Sequence, residues 1–242
     1  MKPINFMKNN FNRSKRYFLL QLKLNELGLK FTHKSEIYEV IKEDIYRKYP
    51  DFIPDKNSVV IDIGAQYGDY SILCEKLYNC NVVSFEPLGK NYKEFIKNIK
   101  LNNCKKIRVY NIALSNFIGM KNGIKNNNML IAKNLHLPFY EAEKITYEDN
   151  ILFNIGDNIL DYYEFNSINI VKIDVEGFEY EVLEGLIETL KKYKPKIIIE
   201  THSAELDYKC FSFLTDLGYI CKDIIPINVE NEVTLNFYRY KY

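Results

Sequence analysis

Val59-Val60-Ile61-Asp62-Ile63-Gly64-Ala65-Gln66-Tyr67-Gly68 is an apolar run that ends in a glycine turn. Glu86 follows 22 residues after Gly64, inside Val82-Val83-Ser84-Phe85-Glu86-Pro87. Val59, Val60, Ile61 and Ile63 read as a strand apolar on both faces, as in the middle of a parallel sheet. Gly64 and Gly68 permit a tight turn and close approach of backbone to a ligand. A second apolar run ending in a carboxylate completes a nucleotide-binding βαβ unit, with Glu86 placed to accept hydrogen bonds from a ribose diol. The expected ligand is an adenosine-containing cofactor.

The dinucleotide fingerprint needs Gly-x-Gly-x-x-Gly, its second glycine making room for a pyrophosphate. Here Gln66 stands at that place, and Asp62 just before the turn repels phosphate and favours a cation such as a sulfonium. S-adenosyl-L-methionine fits this turn better than a nicotinamide dinucleotide.

Alternating α and β segments extend outward from this unit. Upstream, residues 14–28 read as a helix ending near Gly28. Residues 35–49 read as another, with Ser35 a possible cap and Ile37, Val40, Ile41 and Ile45 on one face, stopped by Pro50 and Pro54. Downstream, strand 59–64 leads to a helix over 68–78, with Tyr70, Ile72, Leu73 and Leu77 apolar. Strand 82–86 leads to a helix over 88–101, with Tyr92, Phe95, Ile96 and Ile99 inward, and then to strand 107–113. Residues 116–165 break the rhythm with turns at Gly123, Asn126-Asn127-Asn128 and Gly156, and read as an inserted set of hairpins on the substrate side.

Strand 169–175, helix 178–193, strand 196–201 and helix 204–217 resume the pattern. Two closing strands near 219–225 and 233–240, joined through Pro226, Asn228 and Asn231, are expected to be antiparallel neighbours. The expected fold is α/β: a Rossmann-like, doubly wound, seven-stranded and mostly parallel sheet with an antiparallel last strand. It spans residues 51–242, and residues 1–50 form an N-terminal helical extension.

The composition, 47% hydrophobic and 27% charged, is that of an ordinary globular chain long enough for one full core. No apolar run approaches the roughly 20 residues that cross a bilayer, and the first residues do not form a secretory signal. Cys74, Cys80, Cys104, Cys210 and Cys221 have no metal-clip spacing and read as free thiols, so a cytoplasmic location is expected. Residues 1–34 carry eight basic side chains against Glu26 alone, while the remainder holds 25 basic and 31 acidic. Such an arm suits weak contact with an anionic surface; the plainer alternative is a solvated helix that packs Phe11, Phe18 and Leu22 on the body. His33 and His136, isolated among polar residues, read as surface residues.

Ile170-Val171-Lys172-Ile173-Asp174-Val175-Glu176-Gly177 places a lysine and two carboxylates in an otherwise apolar strand, where charges must be paired or line a cavity. Asp174 falls at the carboxyl end of the strand, where open α/β sheets hold their ligands. Ile197-Ile198-Ile199-Glu200-Thr201-His202 ends the next strand. If the two strands are neighbours, Asp174, Glu176, Glu200 and His202 share one rim. Carboxylates with an imidazole can deprotonate an acceptor hydroxyl, or hold a divalent metal that does so. A metal is not required by the spacing. The structural alternative is a Lys172–Asp174 ion pair with His202 capping the following helix.

These motifs resemble the FkbM-like family of S-adenosylmethionine-dependent methyltransferases over roughly residues 36–218. The resemblance rests on Val60–Ser71, Ser84-Phe85-Glu86-Pro87, Asn111-Ile112-Ala113-Leu114-Ser115 and, most distinctively, Lys172-Ile173-Asp174-Val175-Glu176-Gly177-Phe178-Glu179. It implies a class I methyltransferase sheet, with Asp62, Gly64 and Gly68 bordering the methionine part of the cofactor. It further implies that Glu86 holds the ribose and that Asp174 lies close to the methyl group. Gln66 departs from the asparagine usual in the family.

The cofactor-binding set expected from spacing and resemblance together is Asp62, Gly64, Ala65, Gln66, Gly68, Glu86, Pro87, Ala113 and Asp174. The catalytic set is Asp174, Glu176 and His202. The expected reaction is O-methylation of a small-molecule or glycan acceptor. The rivals are a nicotinamide-dependent oxidoreductase and a non-catalytic S-adenosylmethionine-binding module. A stable nucleic-acid partner is not expected: only the basic arm favours one, and Asp174-Val175-Glu176-Gly177 stands where amino-group methylation uses an Asn-Pro-Pro-Tyr type of motif.

Overall fold

In the computed structural model, residues 3–33, 37–47, 49–126, 129–131, 145–228 and 234–242 are described. The central strand β1 (Val59–Ile63) pairs in parallel with β2 (Asn81–Phe85) on one side and β8 (Ile170–Ile173) on the other. The seven-stranded sheet has the order β10-β11-β9-β8-β1-β2-β3, with β3 Ile107–Tyr110, β9 Lys196–Thr201, β10 Ile220–Asn228 and β11 Thr234–Lys241. β11 runs antiparallel to both its neighbours, β10 and β9. The expected fold class is the one observed.

Every residue of β1 is buried, and successive residues serve opposite layers. Val59, Ile61 and Ile63 pack with Val182, Leu183, Leu190 and Leu214 from α5 (Glu179–Glu184), α6 (Ile187–Tyr193) and α7 (Ala204–Asp216). Val60 faces Tyr70 and Cys74 of α2 (Asp69–Tyr78), together with Tyr46 and Phe52. This period-2 division of one apolar strand between two helical layers is what a doubly wound sheet requires.

The helix expected over 35–49 is replaced by a short π turn, Glu39–Glu43, and a 3₁₀ turn, Pro50–Phe52. The helix expected over 14–28 is α1, Pro3–Leu27, and its inward face differs from the expected one. Leu20 and Leu24 are buried, whereas Phe18 is 62% and Leu22 51% exposed. With Leu29, Phe31, Ile37 and Ile41, these two leucines share a core with Tyr67, Ile72, Leu73 and Phe95. The extension is therefore continuous with the domain's own packing. Asn98 and Asn102 of α3 (Gly89–Leu101, with Asn102 its C-cap) clamp it: Thr32 N donates to Asn98 Oδ1 at 3.0 Å, and Lys30 N to Asn102 Oδ1 at 2.9 Å. His33, expected on the surface, stacks on the Tyr67 ring with centroids 4.6 Å apart. Ser35, His136 and the Phe11 side chain lie outside the described residues.

The expected helix 178–193 is split into α5 and α6. A Cβ on Gly185 would lie 2.1 Å from the carbonyl oxygen of Ser115, so the break sits where another chain segment presses in. Asp157 then caps the new helix, accepting from Glu188 N at 2.9 Å and Thr189 N at 2.8 Å. The expected strand 107–113 ends at Tyr110, and β4 (Ala113–Ser115) instead joins the insertion in a second sheet, β4-β7-β5-β6, with β5 (Gly119–Asn126), β6 (Met129–Ile131) and β7 (Ile145–Ile155), followed by α4 (Gly156–Asp161). The Phe153 ring of β7 lies tilted against Phe178, centroids 5.5 Å apart, which brings this sheet beside the end of the Asp174–Gly177 loop. The cysteines are free thiols, four of the five buried. No helix among the described residues is long and apolar enough to cross a membrane.

Candidate active site

All the parallel strands end at one edge, and the turn after β1 is held there by backbone bonds from Gly64 N and Ala65 N to Phe85 O, both 3.0 Å. Gly64 has φ +76°, and a Cβ there would lie 1.7 Å from the carbonyl oxygen of Asp174. Gly68 has φ +77°, and its Cβ would lie 1.8 Å from the Phe95 ring. The close approach that these glycines allow is thus to the protein's own Asp174 and Phe95. Gln66 sits in the left-handed region at φ +48°.

Glu86, expected at the tip of β2 facing a ribose, is only 4% exposed and already organises the turn. It accepts from Gln66 N at 2.8 Å, Leu88 N at 2.9 Å and Asn91 Nδ2 at 3.4 Å. A carboxylate has about four acceptor positions, so one remains for a ribose hydroxyl. Burial pushes its carboxyl up to about 7, against those three hydrogen bonds. Ala65 and Ala113 are buried, and half-buried Pro87 is held beside Glu86 by Asn111 Nδ2, which donates to Glu86 O and Pro87 O, both at 2.9 Å.

Sheet register places Asp62 between Ser84 and Lys172. Its carboxylate is fully enclosed; Ser71 Oγ donates to it at 2.5 Å and Lys172 Nζ lies 3.3 Å away. Asp62 thereby anchors Lys172, which donates to Gly64 O at 2.8 Å and lies 3.7 Å from Asp174. Burial alone would lower the Lys172 ammonium, but Asp62, Asp174 and Asp69 together hold it above its ordinary value. Ser71 is a residue that the sequence reading missed, although it stands in the quoted motif three residues after Gly68.

Because β8 and β9 are parallel neighbours, Asp174, Glu176, Glu200 and His202 do share a rim. His202 Nε2 lies 3.4 Å from Glu176 Oε2 and 3.8 Å from Asp174 Oδ1, while Nδ1 lies 2.7 Å from Glu179 Oε1. Burial opposes the charged imidazole, but Glu176 and Glu179 raise it well above its usual value. Burial pushes Glu176 up to about 7, which His202 opposes, and pushes Glu200 up to about 8 with help from Asp174. Tyr46 Oη donates to Asp174 Oδ2 at 3.0 Å. No periodic signal in the sequence singles out Tyr46 or ties Glu179 to His202. The arrangement offers acceptors for a hydroxyl proton, a carboxylate surplus that suits a cation, and a partly exposed Asp174 at its centre.

The sequence model of the Methyltransferase FkbM domain matches residues 62–221. A "Methyltransferase 1" of Beauveria bassiana is 22% identical over 200 residues, covering 76% of this chain and 77% of that one. The hexuronic acid methyltransferase AglP of Haloferax volcanii is 23% identical over 184 residues, covering 75% and 71%. Among solved structures, the methyltransferase FkbM of Methylobacillus flagellatus superposes with a TM-score of 0.54 at 14% identity, covering 84% of this chain and 52% of that one. A Streptococcus mutans protein solved in complex with SAH gives a TM-score of 0.50 at 12% identity, covering 83% and 97%. The structural likenesses establish the shared fold. The sequence match runs from Asp62 in β1 through the acid-rich loop after β8 to Cys221 in β10, and by it the chain belongs to the FkbM methyltransferase domain family.

Proposed function

We propose that the chain is an S-adenosylmethionine-dependent O-methyltransferase whose acceptor is a hydroxyl of a small molecule or glycan. The observation that carries this reading is the contact between Gly64 and the Asp174 carbonyl, which locks the cofactor turn and the acid-rich rim together. S-adenosylmethionine, when bound, would supply a methyl group to the acceptor oxygen with the C–S electron pair staying on sulfur, and the rim would take the hydroxyl proton. Gln66, Glu86 and the turn backbone would hold the adenosyl part. The carboxylates around Asp174 outnumber Lys172 and His202, which suits a positively charged donor.

Asp174, backed by Glu176 and His202, would orient the acceptor hydroxyl and take its proton. Alignment of this kind is worth roughly 7–11 kcal/mol of barrier. The Streptococcus mutans neighbour with bound SAH supports the cofactor, and the Haloferax volcanii relative, named for a hexuronic acid, supports a sugar-type acceptor. Free, mostly buried thiols support a reducing, cytoplasmic setting.

Titration calorimetry with S-adenosylhomocysteine, followed by mass spectrometry of hexuronic-acid oligosaccharides and cell extract incubated with methyl-labelled donor, tests the reading. Saturable binding and a labelled methyl ether are expected. Folded protein that binds neither donor nor product would end it, and label found only on nitrogen or carbon would move it to another acceptor class.

A further inference from the structure

We propose that Asp174, Glu176 and His202 form a site for one divalent cation of the Mn²⁺ class, set where the acceptor oxygen would bind. One donor atom from each residue lies within 4.8 Å of the others. Metal–donor bonds of about 2.1 Å put donor atoms about 3.0 Å apart when adjacent in an octahedron and about 4.2 Å apart when opposite. The 3.4 and 3.8 Å separations from His202 Nε2 to Glu176 and Asp174 fall inside that interval. Both are longer than a direct charge-assisted hydrogen bond, about 2.7–2.9 Å.

The other side of the imidazole is an independent pointer. Glu179 is completely buried, its Oε1 accepts from Gly177 N at 2.8 Å and meets His202 Nδ1 at 2.7 Å, and its Oε2 has no hydrogen-bond partner among the described residues. A buried carboxylate on Nδ1 takes that nitrogen's N–H, so a bound cation in place of the Nε2 proton would meet an Nε2 lone pair facing outward, as metal-ligating histidines are held. That lone pair faces the oxygens of two carboxylates, an arrangement that repels unless a proton or a cation lies between them. Lys172, the nearby fixed cation, is held by Asp62 and the Gly64 carbonyl and lies 3.7 Å from Asp174 Oδ2, whereas His202 faces Oδ1. One imidazole with two carboxylates combines a ligand suited to first-row transition metals with ligands suited to hard cations, and Mn²⁺ accepts both. Remaining coordination positions would take the acceptor's oxygens, a role that rests on the methyl-transfer reading; the binding itself does not.

The test uses the full chain, stripped with EDTA and titrated with MnCl₂ by calorimetry and by the electron paramagnetic resonance of unbound Mn²⁺. One Mn²⁺ per chain is expected, with affinity at least tenfold weaker in Glu176→Gln and about 10–100-fold weaker in Glu179→Gln, which keeps all three ligands. Glu205→Gln, on the exposed start of α7, should bind as wild type does. No saturable Mn²⁺ uptake by folded wild-type protein, or equal uptake by all variants, would overturn the site and leave His202 as an imidazolium between carboxylates. Titration of the same samples with S-adenosylhomocysteine separates the two ideas. Product binding without Mn²⁺ rejects the metal alone, and Mn²⁺ without product binding rejects the donor assignment alone.

Discussion

Tyr46 Oη donates to Asp174 Oδ2 at 3.0 Å, joining residues 128 positions apart across the wall of the site. The tyrosine ring is buried and packs edge-on against Tyr70 with centroids 5.0 Å apart, so its position is set independently of the hydrogen bond. Tyr46→Phe should keep the ring and remove the donor. A net hydrogen bond contributes about 0.5–1.5 kcal/mol, so a small loss of stability is expected together with a several-fold fall in turnover and unchanged affinity for S-adenosylhomocysteine. Unchanged turnover would reduce this contact to a packing feature.

Asp174→Asn should lower turnover by more than tenfold, because it removes the rim's central proton acceptor while keeping its shape, and a positioned base is worth about 10²–10⁴ in rate. Calorimetry should find cofactor affinity nearly unchanged, since the turn's contacts to Gln66 and Glu86 are untouched. A variant that loses affinity and rate equally would instead place Asp174 in donor binding.

What the sequence revealed, and what it hid, divides along the range of the forces involved. The β1 run, the carboxylate 22 residues past Gly64 and the apolar strand interrupted by Lys172 and Asp174 are local patterns, and each marks the strand end where it is found. The neighbouring of Asp174 and His202 follows from strand order alone. Leu20 and Leu24 replace Phe18 and Leu22 in the core because the choice of buried stripe depends on the partner surface that Tyr67 and Phe95 supply. Gly185 breaks a helix because Ser115, 70 residues earlier, presses on it. Glu86 holds the backbone of the turn, and Asp62 anchors a lysine, through contacts that no spacing encodes.

Gly64→Ala and Gly28→Ala form a matched pair, since both glycines have positive φ, +76° and +66°. At Gly28 a Cβ meets nothing within 4 Å among the described residues, so only the backbone preference opposes it, about 1–2 kcal/mol. At Gly64 the Cβ would lie 1.7 Å from the Asp174 carbonyl, and the β1 and β8 ends must part to admit it. Chemical denaturation should show a loss at Gly64 well above that at Gly28, on the order of 4 kcal/mol or more. Equal losses would mean that the two strand ends are not held in contact.

Glu86 makes the clearest pH dependence. Its carboxyl is pushed from the ordinary 4.5 up to about 7 by burial, and buried Asp69 is pushed from 3.8 to about 7 for the same reason. A folded-state value above the unfolded one means that the folded chain holds extra protons between the two, so this contribution to stability is complete below the unfolded value and disappears as pH rises through 7. The ligand-free protein should therefore melt at a lower temperature at pH 8 than at pH 6. Ligand binding should run the other way. A ribose hydroxyl donating to Glu86 needs the ionised acceptor, so affinity for S-adenosylhomocysteine should weaken below pH 7, by up to about tenfold per pH unit when one proton must leave. Binding should also release protons near neutrality, detectable as calorimetric heats that vary with the buffer's own ionisation enthalpy. Glu86→Gln should bind weakly at every pH with a flat profile, and a wild-type affinity that stays constant from pH 6 to 8 would separate Glu86 from the cofactor.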